Sequence, residues 1–200
     1  DAVVLDSVTV NSGFGGMGGT TLRFEGSGNG HFISNSLLLD ANIRVEKAMN
    51  TDTVHCYAGT VDVLAIGDGE HALQIIKGGM DFPAGDPVHM YHTLVQVADD
   101  GFLIGTRDTL RVKLVGESGF PFSSFEVNPN GYFHNEGTFV FEPCADPADY
   151  FNYVCDDRLY NAIVEGSVNS GFSDLITENS LLLNAGTLQV DAVVLDSVTV

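Results

Sequence analysis

The first ten residues of this chain, DAVVLDSVTV, recur without a change at residues 191–200. Ten consecutive identities in 200 residues are not a chance event, and they restrict the fold to architectures that meet the same strand twice. Three explanations fit. A tandem array with a 190-residue period would show one repeat over 1–190 and the start of the next over 191–200. A strand-exchange subunit would carry, at one end, a copy of the segment that completes its neighbour. An artificial duplication is the third. It ordinarily follows an inserted flexible linker, whereas NAGTLQV at 184–190 runs into the second copy with no Gly/Ser spacer.

Shorter phrases also recur. Residues 35–54 read NSLLLDANIRVEKAMNTDTV, and residues 179–198 read NSLLLNAGTLQVDAVVLDSV, which align with one gap. A strand phrase returns as TLRF at 21–24, NIRV at 42–45, TLRV at 109–112 and TLQV at 187–190. VNSGF occurs at 10–14 and again at 168–172.

The local patterning is β. Residues 60–66, 93–98, 109–115, 124–128 and 138–142 alternate apolar and polar side chains at period two, which places one side of each on a core. They are rich in Val, Ile, Leu, Phe and Thr and are bounded by Asn-Gly, Asp-Gly and Gly-Gly turns. Apolar residues make up 44% of the chain, enough to fill a sizeable core. The best helical candidate is 147–161, whose aromatics and cysteine suit an ordered loop equally well. Strands every 8–12 residues fit either a sandwich or a solenoid.

Two passages favour the solenoid. SFEVNPNGYFHNEGTFVFE at 124–142 reads strand, corner, strand, corner, strand, with Asn and Gly where a corner needs positive φ. Residues 72–112 repeat the scheme through ALQII, HTLVQVA, FLIG and TLRV. In these phrases the chain resembles the long β-helical repeat regions of secreted bacterial surface proteins and adhesins. The resemblance is one of style, and it implies a parallel β-helix with no catalytic signature. Residues 15–19, 81–90 and 144–155 depart from it and would project as insertions. The alternative is a β-sandwich completed by a donor strand from a neighbour. At about 20 residues and 4.8 Å per coil, 190 residues would span on the order of 45 Å, a spacer's geometry.

Charge narrows the partners. With 27 Asp and Glu against 8 Lys and Arg, the net charge is −19, so the surface repels nucleic-acid phosphates and anionic membranes. No apolar run of 18 residues is present to insert in a bilayer, and no charged-then-apolar leader opens the chain, so a secretion signal would have been removed or lie upstream. The expected location is extracellular, at a cell surface.

Catalytic patterns are weak. Cys144 and Cys155 are expected to pair in a disulfide stapling the aromatic loop between them, and Cys56 to be a small core or face residue. His89 and His92 are the close histidine pair, but positions i and i+3 of an extended segment face opposite ways, which speaks against a metal site. His31, His71 and His134 are expected at corners. Polygalacturonase-like sites resemble an Asn-Thr-Asp, an Asp-Asp, a Gly-His and an Arg-x-Lys in that order. Here Asn50-Thr51-Asp52, Asp99-Asp100 and Arg111-Val112-Lys113 occur, but Gly30-His31 comes first. No cofactor is implied. Ca²⁺ is the one ion the acidic turns would suit, at Asp99 and Asp100, Asp156 and Asp157, and less so at Asp81/Asp86 and Asp146/Asp149.

These observations predict an all-β, non-enzymatic structural subunit or repeat of an extracellular filament or adhesin stalk, assembled with neighbouring copies of itself. Its junction would be the terminal decapeptide, through Val3, Leu5, Val8 and Val10 at one end and Val193, Leu195, Val198 and Val200 at the other. The second class is a secreted protein that binds or cleaves carbohydrate, with surface glycans as ligands. An aromatic or carboxylate cluster on one face would mark it.

Overall fold

The structure, a computed structural model, describes residues 2–11, 14–15, 20–35, 39–66, 72–114, 124–144, 150–169 and 173–195. Alternation of apolar and polar residues makes strands that each bury one side, and a parallel partner for such a strand must arrive by a crossover. Here the crossover is the rest of one coil. Phe151 pairs with Val168, and Glu46 with Lys77, so partners lie 17 to 31 residues apart in the chain. Every pairing among the described strands is parallel, and no helix occurs among the described residues. A sandwich would be antiparallel. The chain is instead an all-β, solenoid-like stack of coils.

Each coil visits three faces in turn. The first face runs through Ala2–Leu5, Thr21–Phe24, Asn42–Glu46, the start of Ala72–Asp81, the start of Leu94–Ile104, Ser124–Val127, Phe151–Cys155, Val168–Asn169 and Leu188–Gln189. The second runs through Ser7–Val10, Gly30–Ser34, Thr53–Tyr57, the ends of the two long strands and Tyr132–Phe133. Phe14–Gly15 pairs with Leu39–Asp40 on the third. A separate sheet through Leu64–Ile66, Val88–His92, Thr109–Leu114, Thr138–Phe141, Leu159–Val164 from Asn161 on, and the end of Leu175–Leu183 forms that face in the later coils. Leu159 and the start of Leu175–Leu183 lie before the register shift, beside Tyr132–Phe133 of the second face.

In-register stacking turns the alternation of each strand into ladders that run the length of the core. Leu22, Ile43, Leu73, Val95, Phe125 and Tyr153 succeed one another inside the first face, and all are buried. Leu64, Val88, Leu110, Phe139 and Ala162 do the same inside the third. Aromatics fill the middle coils, where Phe125 stacks on Tyr153 at 6.1 Å and Phe139 lies 4.7 Å from Phe141 between ring centroids.

Corners follow the chemistry the sequence implied. Asn130, Asn135 and Glu136 adopt positive φ of 65°, 51° and 62°, and Gly137 follows because a Cβ there would overlap the Thr106 carbonyl. At another corner the buried Lys47 lends its Nζ to the Glu25 carbonyl at 2.8 Å and stands 3.5 Å from Asp6.

Two passages differ from their expected form. Segment 147–161, which suits a helix or a loop in sequence and overlaps the expected insertion at 144–155, supplies the rungs Phe151–Cys155 and Leu159–Val164, while 145–149 lie outside the described residues. Neighbouring strands on both sides fix that segment's period at two, overriding any local preference. Of the expected insertions, 81–90 shrinks to the loop 82–87, because Asp81 ends one strand and Val88 opens the next. Residues 16–19 of the first lie outside the described residues.

Candidate functional site: the two ends of the stack and a lateral cleft

A coil stack has an inherent weakness at its ends, where the last rung lacks a partner on one side. The duplicated decapeptide lies in the outermost rungs of the described stack. Ala2–Leu5 pairs with Thr21–Phe24 and Ser7–Val10 with Gly30–Ser34, and each has that single strand partner among the described residues. Leu5 and Val8 are half-buried against the core, and Val3 and Val10 take their places in the same two strands. Polar contacts tie this rung to the next: the Glu25 amide donates to the Leu5 carbonyl at 3.2 Å, the His31 amide to Ser7 Oγ at 3.0 Å, and Asn35 Nδ2 to Asn11 Oδ1 at 2.8 Å.

At the other end Val193–Leu195 pairs with the start of Leu175–Leu183, register Leu175↔Val193 through Thr177↔Leu195. The Leu175 amide donates to the Ala192 carbonyl at 2.9 Å, and the Asp191 amide reaches the Ser173 carbonyl at 3.5 Å. Leu195 is half-buried, while Val193 and Val194 are 41% and 47% exposed and Leu183 is 50% exposed. Val198 and Val200 lie outside the described residues. Four of the eight large apolar side chains exposed among the described residues, the three just named and Leu182, thus belong to the last two coils.

The two copies do not occupy equivalent places. Residues 2–5 form a first-face strand and are followed at Asp6 by the corner to the second face. Residues 193–195 pair with the start of Leu175–Leu183, whose Thr177 pairs with Leu159, and the second-face segment at Tyr132–His134 reaches Asp157, Tyr160 and Glu178 beside them. They therefore extend the second face, which at this end is continuous with the third-face sheet.

The other sequence candidates separate. No disulfide joins Cys144 and Cys155. Cys155 ends the inward ladder Phe24, Val45, Ile75, Val97, Val127, where it is buried and directed away from the surface. Burial pushes its thiol up to about 12, and burial raises the Cys56 thiol as well, as expected of a small core residue. His89 and His92 point to opposite sides of Val88–His92, His92 inward and His89 outward, where its Nδ1 meets the Tyr91 hydroxyl at 3.0 Å. Asp99 Oδ1 accepts from Asn128 Nδ2 at 2.5 Å, and Asp157 accepts the amides of Asn130 and Tyr132 at 2.7 Å each, so both serve corners. Asp100 sits within Leu94–Ile104 and Asp156 just beyond Phe151–Cys155. No group of three or more His, Cys, Asp or Glu able to hold a metal occurs among the described residues. The polysaccharidase-like elements scatter: His31 lies on the second face, Arg111 and Lys113 on the third, and Asp52 is spent on the Gly28 amide at 2.8 Å.

A cleft of about 440 Å³ opens beside the second face, and sequence reading missed it. The exposed Phe133 meets Phe102 edge-on at 6.4 Å, and His134 stacks on Tyr160 at 5.5 Å. His134 Nδ1 accepts the Glu136 amide at 2.9 Å, which leaves Nε2 to carry the proton toward Glu178 at 3.3 Å. Arg158 joins the same Glu178 at 3.5 Å. The three non-glycine residues of positive φ among the described residues fall on its rim or beside it. The signal was split between NGYFHNE at 130–136 and DDRLY at 156–160, which only the coil register brings together.

The chain matches no family model, no curated protein and no solved structure.

Proposed function

We propose that this chain is a structural element of an extracellular filament or surface stalk, non-enzymatic, which joins copies of itself end to end through the decapeptide. The observation that carries the reading is that the two identical segments lie in the outermost described coils at opposite ends, each with a strand partner on one side only among the described residues. Joining two such ends supplies main-chain hydrogen bonds to both edges and removes Val193 from water, at roughly 25 cal/mol per Å² of apolar surface. The mass of native material under denaturing, reducing conditions tests it. A species far above 21.3 kDa in steps of one repeat means a covalent array, and a band near 21.3 kDa from filaments means separate subunits. A stable monomer that forms no filaments sinks the reading.

A second reading has its own support in the lateral cleft. The exposed Phe133 and the half-buried His134 and Tyr160 rings beside Glu178, Arg158 and Asn135 are the groups that stack on sugar C–H faces and bond to hydroxyls. The ligand would be a neutral glycan, because a net charge of −19 disfavours polyanionic ones. Titration with neutral cello-, manno- and chito-hexaose, read by shifts of the Phe133 and Tyr160 ring resonances, decides it. No shift at millimolar sugar removes this reading.

A further inference from the structure

We infer that successive copies of this chain join with a turn of one coil face at each junction, so that the joined rod is a screw of about 120° per copy rather than a straight stack. The inference rests on the end-joining reading above. The phase of the decapeptide carries it. Ala2–Leu5 lies on the first face of the first described coil, and Val193–Leu195, through Leu175–Thr177 and their neighbours Tyr160, Asp157 and His134, extends the second face in the ninth. The 190 residues between equivalent positions therefore make eight coils and one third, an axial advance of about 40 Å at about 4.8 Å per coil.

The side-chain parity agrees. When one copy's decapeptide is laid on the other, Val193 is equivalent to Val3 and Leu195 to Leu5. The registers Leu175↔Val193 and Val3↔Leu22 then fuse into one ladder, as do Thr177↔Leu195 and Leu5↔Phe24. Leu175 and Thr177 are buried on one side of the junction, and Leu22 and Phe24 are buried on the other. The inward positions thus meet inward positions, and Ile176 meets Arg23 across the outward position between them. A one-residue slip would have set core residues against solvent-facing ones. The exposed Val193 gains Leu22 of the next copy as its cover.

An independent observation shows that the faces accept one another's strands. TLRF at 21–24 serves the first face and TLRV at 109–112 the third, each burying its second and fourth residues. VNSGF begins at the end of a second-face strand at Val10 and within a first-face strand at Val168. The same sequence can therefore start a copy on any face, and the lateral cleft of successive copies would look outward along three directions.

Cryo-electron microscopy of a chain carrying three tandem 190-residue copies plus the closing decapeptide tests the screw. The expected result is an advance of about 40 Å and a turn of one face per copy. Copies related by translation alone would overturn the screw and leave end joining intact. Copies hinged at variable angles would overturn end joining itself. Hydrogen exchange on the single chain supplies a check that needs no assembly. Deleting residues 191–200 should speed exchange of the Leu175 amide, which donates to Ala192, and spare the Val168 amide, which donates to Thr187. The reverse pattern would overturn the phase assignment.

Discussion

Cys155 shows how a residue's role in a coil depends on which side of its rung it faces. It continues a ladder of Val and Ile, so the thiol is held neutral in the core rather than offered to Cys144 at the surface. A shift to about 12 lowers the thiolate fraction at neutral pH roughly 1,000-fold. Iodoacetamide at pH 8, followed by mass spectrometry, should label Cys144 while sparing Cys56 and Cys155 until denaturant is added. A bond between Cys144 and Cys155, or equal labelling of the two, would refute that placement. Gly79 makes a second residue-scale case. A Cβ there would fall within the Phe102 ring, which lies over the glycine as its rung partner. Gly79→Ala should cost about 1–3 kcal/mol in urea unfolding, and Phe102→Leu should relieve part of that cost.

At the scale of the element, the outward sides of the faces are ordered by charge pairs between coils. On the first face Arg23 and Arg44 share Glu46 at 3.2 and 3.0 Å. Burial would raise that carboxyl, but the two guanidinium groups outweigh it and hold it below its ordinary range. On the third face Arg111 bridges Glu142 and Glu165 at 3.0 Å each, linking three coils beside His89. Burial lowers the His89 pKa, Glu142 opposes this and Arg111 reinforces it. A lowered value means the unfolded chain takes the proton first. His89 therefore contributes stability above about 6.5 that is lost as pH falls below it. His89→Gln should flatten the fall in melting temperature between pH 7 and pH 5, and an unchanged slope would contradict this environment. The corner at 130–132 depends on one carboxylate accepting two amides, so Asp157→Ala should cost about 1–3 kcal/mol. Faster exchange of the Asn130 and Tyr132 amides would accompany that loss.

For the whole molecule, the balance lies between edge pairing at the ends and repulsion along the body. Each copy carries a net charge of −19, so end-to-end contacts should strengthen when salt shortens the screening length from about 30 Å at 0.01 M to about 8 Å at 0.15 M. Analytical ultracentrifugation across that range should show assemblies growing with added NaCl. Shrinkage with salt would mean that ion pairs, not strand edges, hold the copies together. Charges at the junction rung act more locally. Val193→Lys with Leu195→Glu should abolish assembly while leaving the melting temperature nearly unchanged, because that rung closes the stack rather than its centre. Survival of full assembly in this variant would remove the decapeptide from the junction.

Much of the fold was legible in one dimension. Period-two alternation at 109–115, 124–128 and 138–142 located strands that form as Thr109–Leu114, Ser124–Val127 and Thr138–Phe141, because a strand's buried side is a property of its own residues. Asn-Gly corners were readable for the same reason: positive φ is a local demand that few residues meet. Segment 147–161 was not readable, since its strands are dictated by coils on both sides. The duplicated decapeptide marked the candidate ends, but only the stacking could say that one copy closes a first face and the other a second. Phase along a coil accumulates from every corner length before it, and no local residue records that sum. The lateral cleft has the same origin, since Phe133 and Glu178 are 45 residues apart and become neighbours only when the coils set the register. The sequence by itself determined the strands, the corners and the repeated segment of this protein. The tertiary structure alone decided which faces the two copies of that segment present, because register is a relation between coils and not a property of any one of them.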